Sequence, residues 1–522
     1  MMKHTLIKFF SCLSLVAALF SCKPGREPKP TEHDLSYEAI EGAKPKNVIF
    51  ILSDDHRYDF MGFTGKVPAL QTPNLDRIAN EGAHLRNAFV STSLCSPSRA
   101  SILTGQHAHT HTIVDNQAPM PEGLKFFPQY LQKAGYQTAF MGKWHMGNTD
   151  DKRQKGFDHW VSFKGQGIYY NPTLNIDGQE KTYGDSAYIT DVLTDQALEW
   201  LNGRDPQKPF FLYLSHKAVH AEFQPAQRHD GKYSNIAIGY PQSMFLTATD
   251  TSKTFGLTAS QRAPNADLKV NLKDIPDWVR KQRYSWHGVD YMYHDQIVFN
   301  DFYKLYLETL LGIDESVGRV LDYLREAGLD ESTVVIYMGD NGFSFGEHGL
   351  IDKRHMYEES FRVPLIARAP GMIREGSKID QMVQNIDIGP TVLELAGVKT
   401  PSQMQGMSFA PLLRGETIPW RDKVFYEYYW EYAFPQTPTM FGVRTDRYKY
   451  IFNQGLWGIN ELYDLQNDPL EVNNLIRDEG HQEIAKQLAG DMWTWLEQTN
   501  GLAIPLKRIE GKKFDNLYKD TY

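Results

Sequence analysis

Asn47-Val48-Ile49-Phe50-Ile51-Leu52-Ser53-Asp54-Asp55-His56 runs from an unbroken apolar, β-branched stretch straight into two adjacent carboxylates and an imidazole. A run that is apolar at every position reads as a central strand buried on both faces, the pattern of a parallel sheet. Neighbouring carboxylates at a strand end repel one another unless a cation lies between them, and oxygen ligands suit Ca²⁺ or Mg²⁺. Three further stretches share this grammar. Gln137–Met141 delivers Gly142-Lys143-Trp144-His145, and Pro209–Leu214 delivers Ser215-His216-Lys217-Ala218-Val219-His220. Thr333–Met338 delivers Gly339-Asp340-Asn341-Gly342. Helical patterns at Phe126–Ala134, Asp185–Leu201 and Phe302–Ala327 lie between the strands. The alternation predicts an α/β fold with a large, mostly parallel sheet between helices. Open sheets of this kind bind ligands beyond the carboxyl ends of their strands, so the four polar clusters should meet at one site.

Leu94-Cys95-Ser96-Pro97-Ser98-Arg99-Ala100-Ser101-Ile102-Leu103-Thr104-Gly105 adds a thiol at the start of a helix. Pro97 suits a first helical turn, where its missing N–H costs nothing. Cys95 then lies at the positive end of the helix dipole with Arg99 one turn on, and both favour an anion beside it. A shorter helix from Pro73 to Ala79, with Asn74 as a plausible N-cap, and a strand over Leu85–Val90 precede this stretch. A strand over Val363–Ala367 and a helix over Ile388–Ala396 follow it. Between His220 and Asp301 periodicity is lost, which reads as insertions around the mouth of the site.

Past about residue 415 the texture changes to short alternating strands. Lys423–Tyr429, Gly442–Asn453 with Thr445-Asp446-Arg447 as a turn, and Glu461–Leu465 precede a helix over His481–Gln498. This predicts a catalytic α/β domain over 47–415 and a smaller α+β subdomain over 416–522.

The N-terminus reads as an export signal. Lys3 and Lys8 precede an apolar run over Phe9–Phe20 that is too short to span a bilayer. Leu19-Phe20-Ser21-Cys22 looks like a bacterial lipobox, giving a signal peptide over 1–21 and lipidation of Cys22. Release as a soluble secreted protein is the alternative. Residues 22–46 read as a flexible tether. The protein would be exported to the periplasm or cell surface, touching a membrane only through its lipid. Of the chain's three cysteines, only Cys95 then remains in the folded body, so no disulfide forms within it. The net charge of −9 and the lack of a Lys/Arg run argue against nucleic acid as a partner.

Asp54, Asp55, Asp340 and Asn341 supply hard oxygens from two strand ends, and no histidine or cysteine pair joins them at zinc spacing. Arg99, Lys143 and Lys353 are cations suited to a tetrahedral oxyanion. His145 and His220 are the acid–base candidates, and His216 and His348 are supporting or structural.

These residues together resemble the type I sulfatases of the alkaline-phosphatase-like superfamily, over about Asn47 to Leu475. Cys95, Pro97 and Arg99 resemble the signature in which a maturing enzyme oxidises the cysteine to formylglycine, and Gly142-Lys143 the second signature. The Leu462-Tyr463-Asp464-Leu465 and Asp468-Pro469 segment is similar to the family's C-terminal subdomain. A narrower resemblance is to N-acetylglucosamine-6-sulfatases and heparan endosulfatases. It rests on Tyr169-Tyr170-Asn171-Pro172-Thr173-Leu174, Ile176-Asp177-Gly178, Tyr188, Thr190-Asp191-Val192-Leu193 and Ile351-Asp352-Lys353-Arg354. Val219 departs from the subgroup, which usually has proline before the histidine.

The resemblance implies one Ca²⁺ held by Asp54, Asp55, Asp340, Asn341 and the modified Cys95. It also implies substrate contacts from His216, His348, Asp352 and Arg354. The reaction it implies is exo-acting hydrolysis of glycan sulfate esters. A hydroxyl of the hydrated aldehyde attacks sulfur, steadied by Arg99 and Lys143. His220 and Lys353 protonate the leaving sugar oxygen, and His145 deprotonates the second hydroxyl to expel sulfate. A sulfatase of another sugar position, a phosphomonoester or phosphonate hydrolase of the same superfamily, and a non-catalytic glycan-binding lipoprotein are the alternatives.

Overall fold

Strand β1 (Asn47–Ser53) forms the middle of a ten-stranded sheet, and every residue after Asn47 is buried. The computed structural model describes residues 35–147, 150–248, 268–291, 298–455 and 458–505. The expected signal peptide and Cys22 lie outside the described residues, as do most of the expected tether and the last part of the C-terminal subdomain.

Two short strands follow, β2 (Ala83–Leu85) and β3 (Ala88–Phe89), and then β4 (Gln137–Lys143) and β5 (His159–Phe163). An edge hairpin, β6 (Thr173–Ile176) and β7 (Gln179–Thr182), precedes β8 (Phe210–Ser215) and β9 (Thr333–Gly339). The remaining short strands are β10 (Leu365–Arg368), β11 (Ser377–Ile379) and β12 (Val383–Gln384). The order across the large sheet is β11-β2-β10-β9-β1-β8-β4-β5-β6-β7. Its centre is parallel, with Ile49 in register with Leu212 of β8 on one side and Val335 of β9 on the other.

The sheet is mostly parallel as expected, with two strands, β10 and β6, reversed. β10 runs antiparallel to both neighbours, and β6 runs antiparallel to both β5 and β7. The expected strand over Leu85–Val90 is two strands in different sheets, since β3 pairs only with β12.

Period-two alternation sorts the central strands between two helical layers. Ile49, Ile51, Leu212 and Leu214 share a core with Leu193 and Leu201 of the Ile189–Gly203 helix and with Leu310 and Val317 of the long Phe299–Glu326 helix. Phe211, out of phase with them, meets Phe127 of the Phe127–Lys133 helix at 5.2 Å between ring centroids. That helix and Ile388–Leu395 pack beside the Cys95–Thr104 helix. The helix expected from Asp185 begins only at Ile189, because Asp185 and Ser186 both hold positive φ, 54° and 64°.

β13 (Lys423–Tyr428), β14 (Met440–Thr445), β15 (Tyr448–Asn453) and β16 (Glu461–Asp464) form an antiparallel meander. Met492, Trp495 and Leu496 of the Gln482–Gln498 helix cover it, against Val443 and Leu462. The described residues from Tyr37 onward form one compact unit. This shortens the expected tether. The Ile40 N–H donates to Gly397 O at 2.7 Å, the Lys399 N–H to Glu38 O at 2.8 Å, and Ala39 bridges Val398.

Candidate active site

The ends of β1, β8 and β9 are stitched to one another just where the apolar runs stop. The Asp54 N–H donates to Ala218 O and the Asp340 N–H to Ser53 O, each at 2.9 Å. The Val219 N–H donates to Asp54 O at 2.8 Å, a bond that proline at this position could not make. Asp55 turns back with φ 56°, and its N–H donates to Asp340 Oδ1 at 3.0 Å. β4 joins through Gly142, whose φ is 119° and where a Cβ would fall 1.7 Å from Ser215 O. Only glycine permits that approach.

Carboxylate oxygens of Asp54, Asp55 and Asp340 lie within 4.8 Å of one another, and all three residues are buried. Asn341 Nδ2 donates to Asp55 Oδ1 at 2.7 Å, leaving Asn341 Oδ1 buried without a hydrogen-bond partner. Three carboxylates converging beside an unsatisfied amide oxygen fit a hard divalent cation. Without that charge the trio is strained electrostatically. Burial and the proximity of Asp54 push Asp340 up to about 7, and burial raises Asp55 as well. Burial opposes ionisation of Asp54 too, yet Lys143, His220 and Arg99 hold it well below the usual carboxylate range.

Three cations answer the three carboxylates. Arg99 donates through Nε to Asp340 Oδ2 at 2.9 Å, and through Nη1 to Lys143 O and Ser215 Oγ, both at 2.7 Å. Lys143 pairs with Asp54 and also donates to Gln166 Oε1 at 2.5 Å. Lys353 reaches both oxygens of Asp55, at 2.5 and 2.7 Å, and lies 3.2 Å from Cys95 Sγ. Cys95 opens its helix as expected, with Sγ 3.4 Å from Asp54 Oδ1. The thiol itself stays neutral. Burial, then Asp54, push it up to about 12, outweighing the opposing pull of Lys143 and Lys353. A neutral thiol is a poor nucleophile.

His145 sits at the end of β4 with φ 58°, and its buried Nδ1 has no hydrogen-bond partner. His220 holds Ala221 O through Nδ1, leaving Nε2 4.0 Å from Asp55 Oδ2. Burial and the site lysines keep both imidazoles well below their ordinary pKa.

Two expected substrate contacts are displaced. His216 is fully buried with Nε2 3.0 Å from Ser316 Oγ on the long helix, so it serves the packing of that layer. His348 stacks on Tyr357 at 4.0 Å and faces Thr247, Val279 and Asn474. Asp352 and Arg354, flanking Lys353, pair at 2.8 Å. Arg354 also meets Glu431 at 2.9 Å and lies 3.3 Å above the Phe434 ring, while Asp352 lies 3.3 Å from His287.

Sequence reasoning missed Gln166, Ser215, Glu431 and His287. Ser215 lay inside a strand-end cluster already singled out, and Gln166 lies between Gly165 and Gly167, a loop signal that went unused. A cavity of about 410 Å³ lies further along the chain, among Tyr170, Phe223, Gln224, Pro225, Gln227 and Leu305. It contains none of the strand-end residues.

The sulfatase family model matches residues 46–398. The chain belongs to the sulfatase family. A second model, described as the C-terminal part of N-sulphoglucosamine sulphohydrolase, matches residues 346–498 of this sulfatase. It is 36% identical to the N-acetylglucosamine-6-O-sulfatase of Bacteroides thetaiotaomicron, over 88% of this chain and 87% of that protein. It is 31% identical to the Homo sapiens N-acetylglucosamine-6-sulfatase, over 74% of this chain and 68% of that one. Among solved structures it resembles BT4656 in complex with its substrate D-glucosamine-2-N,6-O-disulfate. That match has a TM-score of 0.75 and 33% identity, covering 89% of this chain and all of that one. The phosphonate monoester hydrolase of Agrobacterium radiobacter shares the fold, with a TM-score of 0.66 at 19% identity.

Proposed function

We propose that this sulfatase removes the 6-O-sulfate from N-acetylglucosamine at the exposed ends of sulfated glycans, using a formylglycine made from Cys95 by a maturing enzyme. The observation that carries the reading is the surroundings of Cys95. Its Sγ lies between Lys353 and Asp54, beside a carboxylate trio and within a ring of cations. The choice of sugar is supported by the curated relatives in Bacteroides thetaiotaomicron and Homo sapiens, and by the disulfated glucosamine that is the substrate of BT4656.

Asp54, Asp55, Asp340 and Asn341 would hold the divalent ion, Ca²⁺ by its preference for an all-oxygen set. When bound, the ion supplies positive charge beside the reacting sulfate, and the hydrated aldehyde supplies two hydroxyls on one carbon, one for attack and one for release. The remaining work belongs to side chains. Arg99 is fixed by three acceptors and Lys143 by two, so both are preorganised to hold sulfate oxygens while charge builds on them. Lys353, held charged by Asp55, protonates the departing sugar oxygen, and His220, whose Nε2 faces the same carboxylate, shares that role in its imidazolium form. His145, with a free ring nitrogen, takes the proton whose loss expels sulfate.

Lipidation of Cys22 after export over residues 1–21 is part of the same proposal, as is the division into domains over 47–415 and 416–522. Among the described residues no helix is long and apolar enough to cross a membrane.

The direct test pairs the intact mass of the peptide across Cys95 with parallel assays on N-acetylglucosamine-6-sulfate and its 6-phosphate analogue. Aldehyde at position 95 with faster sulfate release is the expected result. An unmodified thiol in active enzyme, or faster phosphate release, overturns the reading.

A further inference from the structure

Ser215-His216-Lys217-Ala218-Val219-His220 carries one charge that the site described above does not use. Lys217 is 4% exposed, and its Nζ lies 4.6 Å from the centre of the Tyr169 ring. Tyr169 is itself buried, and its hydroxyl donates to His220 O at 2.6 Å, while the His220 N–H donates to Lys217 O at 3.1 Å. Lysine, tyrosine and the His220 loop therefore form one unit at the end of β8.

The ion pairs account for every other cation of the site. Lys143 goes with Asp54, Lys353 with Asp55 and Arg99 with Asp340. No carboxylate is left over, and among the described residues Lys217 makes no ion pair. Its surroundings tell it so: burial and then Lys143 draw its pKa down to about 7, with Asp54 and Asp55 too weakly placed to compensate. A buried, unpaired ammonium is costly, whereas methionine would fill the same slot with no charge to satisfy. With each of the three carboxylates already paired to another cation, none is left to Lys217 among the described residues. A sulfate monoester carries one negative charge.

We infer that the Lys217 ammonium is a substrate-binding group for a sulfate oxyanion, held against Tyr169 so that its free face meets the ligand rather than a protein carboxylate. This deepens the proposed function and rests on it for the identity of the sugar. The chemistry fits two sources, the 6-O-sulfate undergoing transfer and a second sulfate on the same sugar.

The experiment compares matured, metal-loaded wild type with Lys217→Met and Lys217→Arg, and with Lys217→Gln should the methionine variant misfold. Inorganic sulfate is titrated calorimetrically, and kcat and KM are measured on N-acetylglucosamine-6-sulfate and on glucosamine-2-N,6-O-disulfate. Removing a charge-assisted contact should weaken sulfate binding and raise KM by about 10- to 100-fold, with a smaller change in kcat. Lys217→Arg should recover most of the loss, and the melting temperature of Lys217→Met should stay level or rise. A loss confined to the disulfated sugar, with sulfate binding intact, assigns the ammonium to the second sulfate. Unchanged sulfate affinity together with unchanged KM on both sugars overturns the inference. If wild type cleaves neither sugar, the titration still reads Lys217, so that outcome counts against the proposed substrate alone.

Discussion

Lys449 in the small sheet and Lys217 at the catalytic edge are both buried lysines, and their surroundings differ in one respect. Lys449, on β15, is fully buried and meets Glu358 at 2.9 Å, Glu471 at 2.7 Å and Met356 O at 2.8 Å. Glu358 takes Arg444 of β14 as well, at 3.1 Å. Each of these charges ends on another, and the cluster locks the meander to the loop that follows Lys353. At the catalytic edge the pairing stops short: among the described residues the Lys217 ammonium meets an aromatic face and no carboxylate, and Asn341 Oδ1 and His145 Nδ1 have no hydrogen-bond partner. Charges that serve cohesion are closed among themselves, and charges that serve chemistry are left one partner short.

That contrast is exposed to breakage from the catalytic side first. Cys95→Ala should abolish turnover while moving the melting temperature only slightly, since one buried sulfur is lost together with the only nucleophile. More than a few per cent residual activity after purification would remove Cys95 from the reaction. Excess chelator, or Asp340→Asn, should also silence the enzyme. After chelation Ca²⁺ should restore rate better than Zn²⁺, because the donor set is all oxygen. Unchanged rate in metal-stripped protein would mean that the carboxylate trio holds no ion.

His220→Ala sharpens the division of labour within the edge. A sugar alkoxide must be protonated as it leaves and nitrophenolate need not be, so N-acetylglucosamine-6-sulfate should lose about 10²–10⁴-fold and nitrophenyl sulfate far less. Equal losses would hand the acid role to Lys353 alone.

The smallest effect on activity is expected at the joint. Lys449→Met strands two buried glutamates, which should cost about 3–5 kcal/mol of stability in denaturant melts. The rate per folded molecule should stay near wild type. Loss of rate without loss of stability would erase the distinction between the two regions.

The catalytic edge was legible in sequence because its signal is local. Each of β1, β4, β8 and β9 is an apolar run ending in titratable residues, and no long-range information is needed to see that. The hairpin of β6 and β7 escaped although Asp177-Gly178 between them, with φ 49° and 93°, is the ordinary sequence of a tight β-turn. Its strands are short, and β7 is exposed throughout, so no apolar pattern announced them. The antiparallel course of β10 was not legible at all, since direction within a sheet depends on pairing between residues far apart. His216, expected at the substrate, packs against Ser316 instead for a related reason. Adjacent residues in an irregular loop point to different neighbours, His216 to Ser316 and Lys217 to the Tyr169 ring, and only tertiary packing decides which.

Cys95 has no exposed surface in the folded chain. A second enzyme cannot reach such a thiol without dismantling the Cys95–Thr104 helix and its seat among three strand ends. In the proposed maturation, oxidation of Cys95 therefore competes in time with collapse of the sheet, and a chain that closes first would keep an unmodified thiol. The yield of working enzyme is then set by a clock, the interval between the emergence of residue 95 and the pairing of β9, some 240 residues later, with β1. The order of the strands along the chain keeps that interval long.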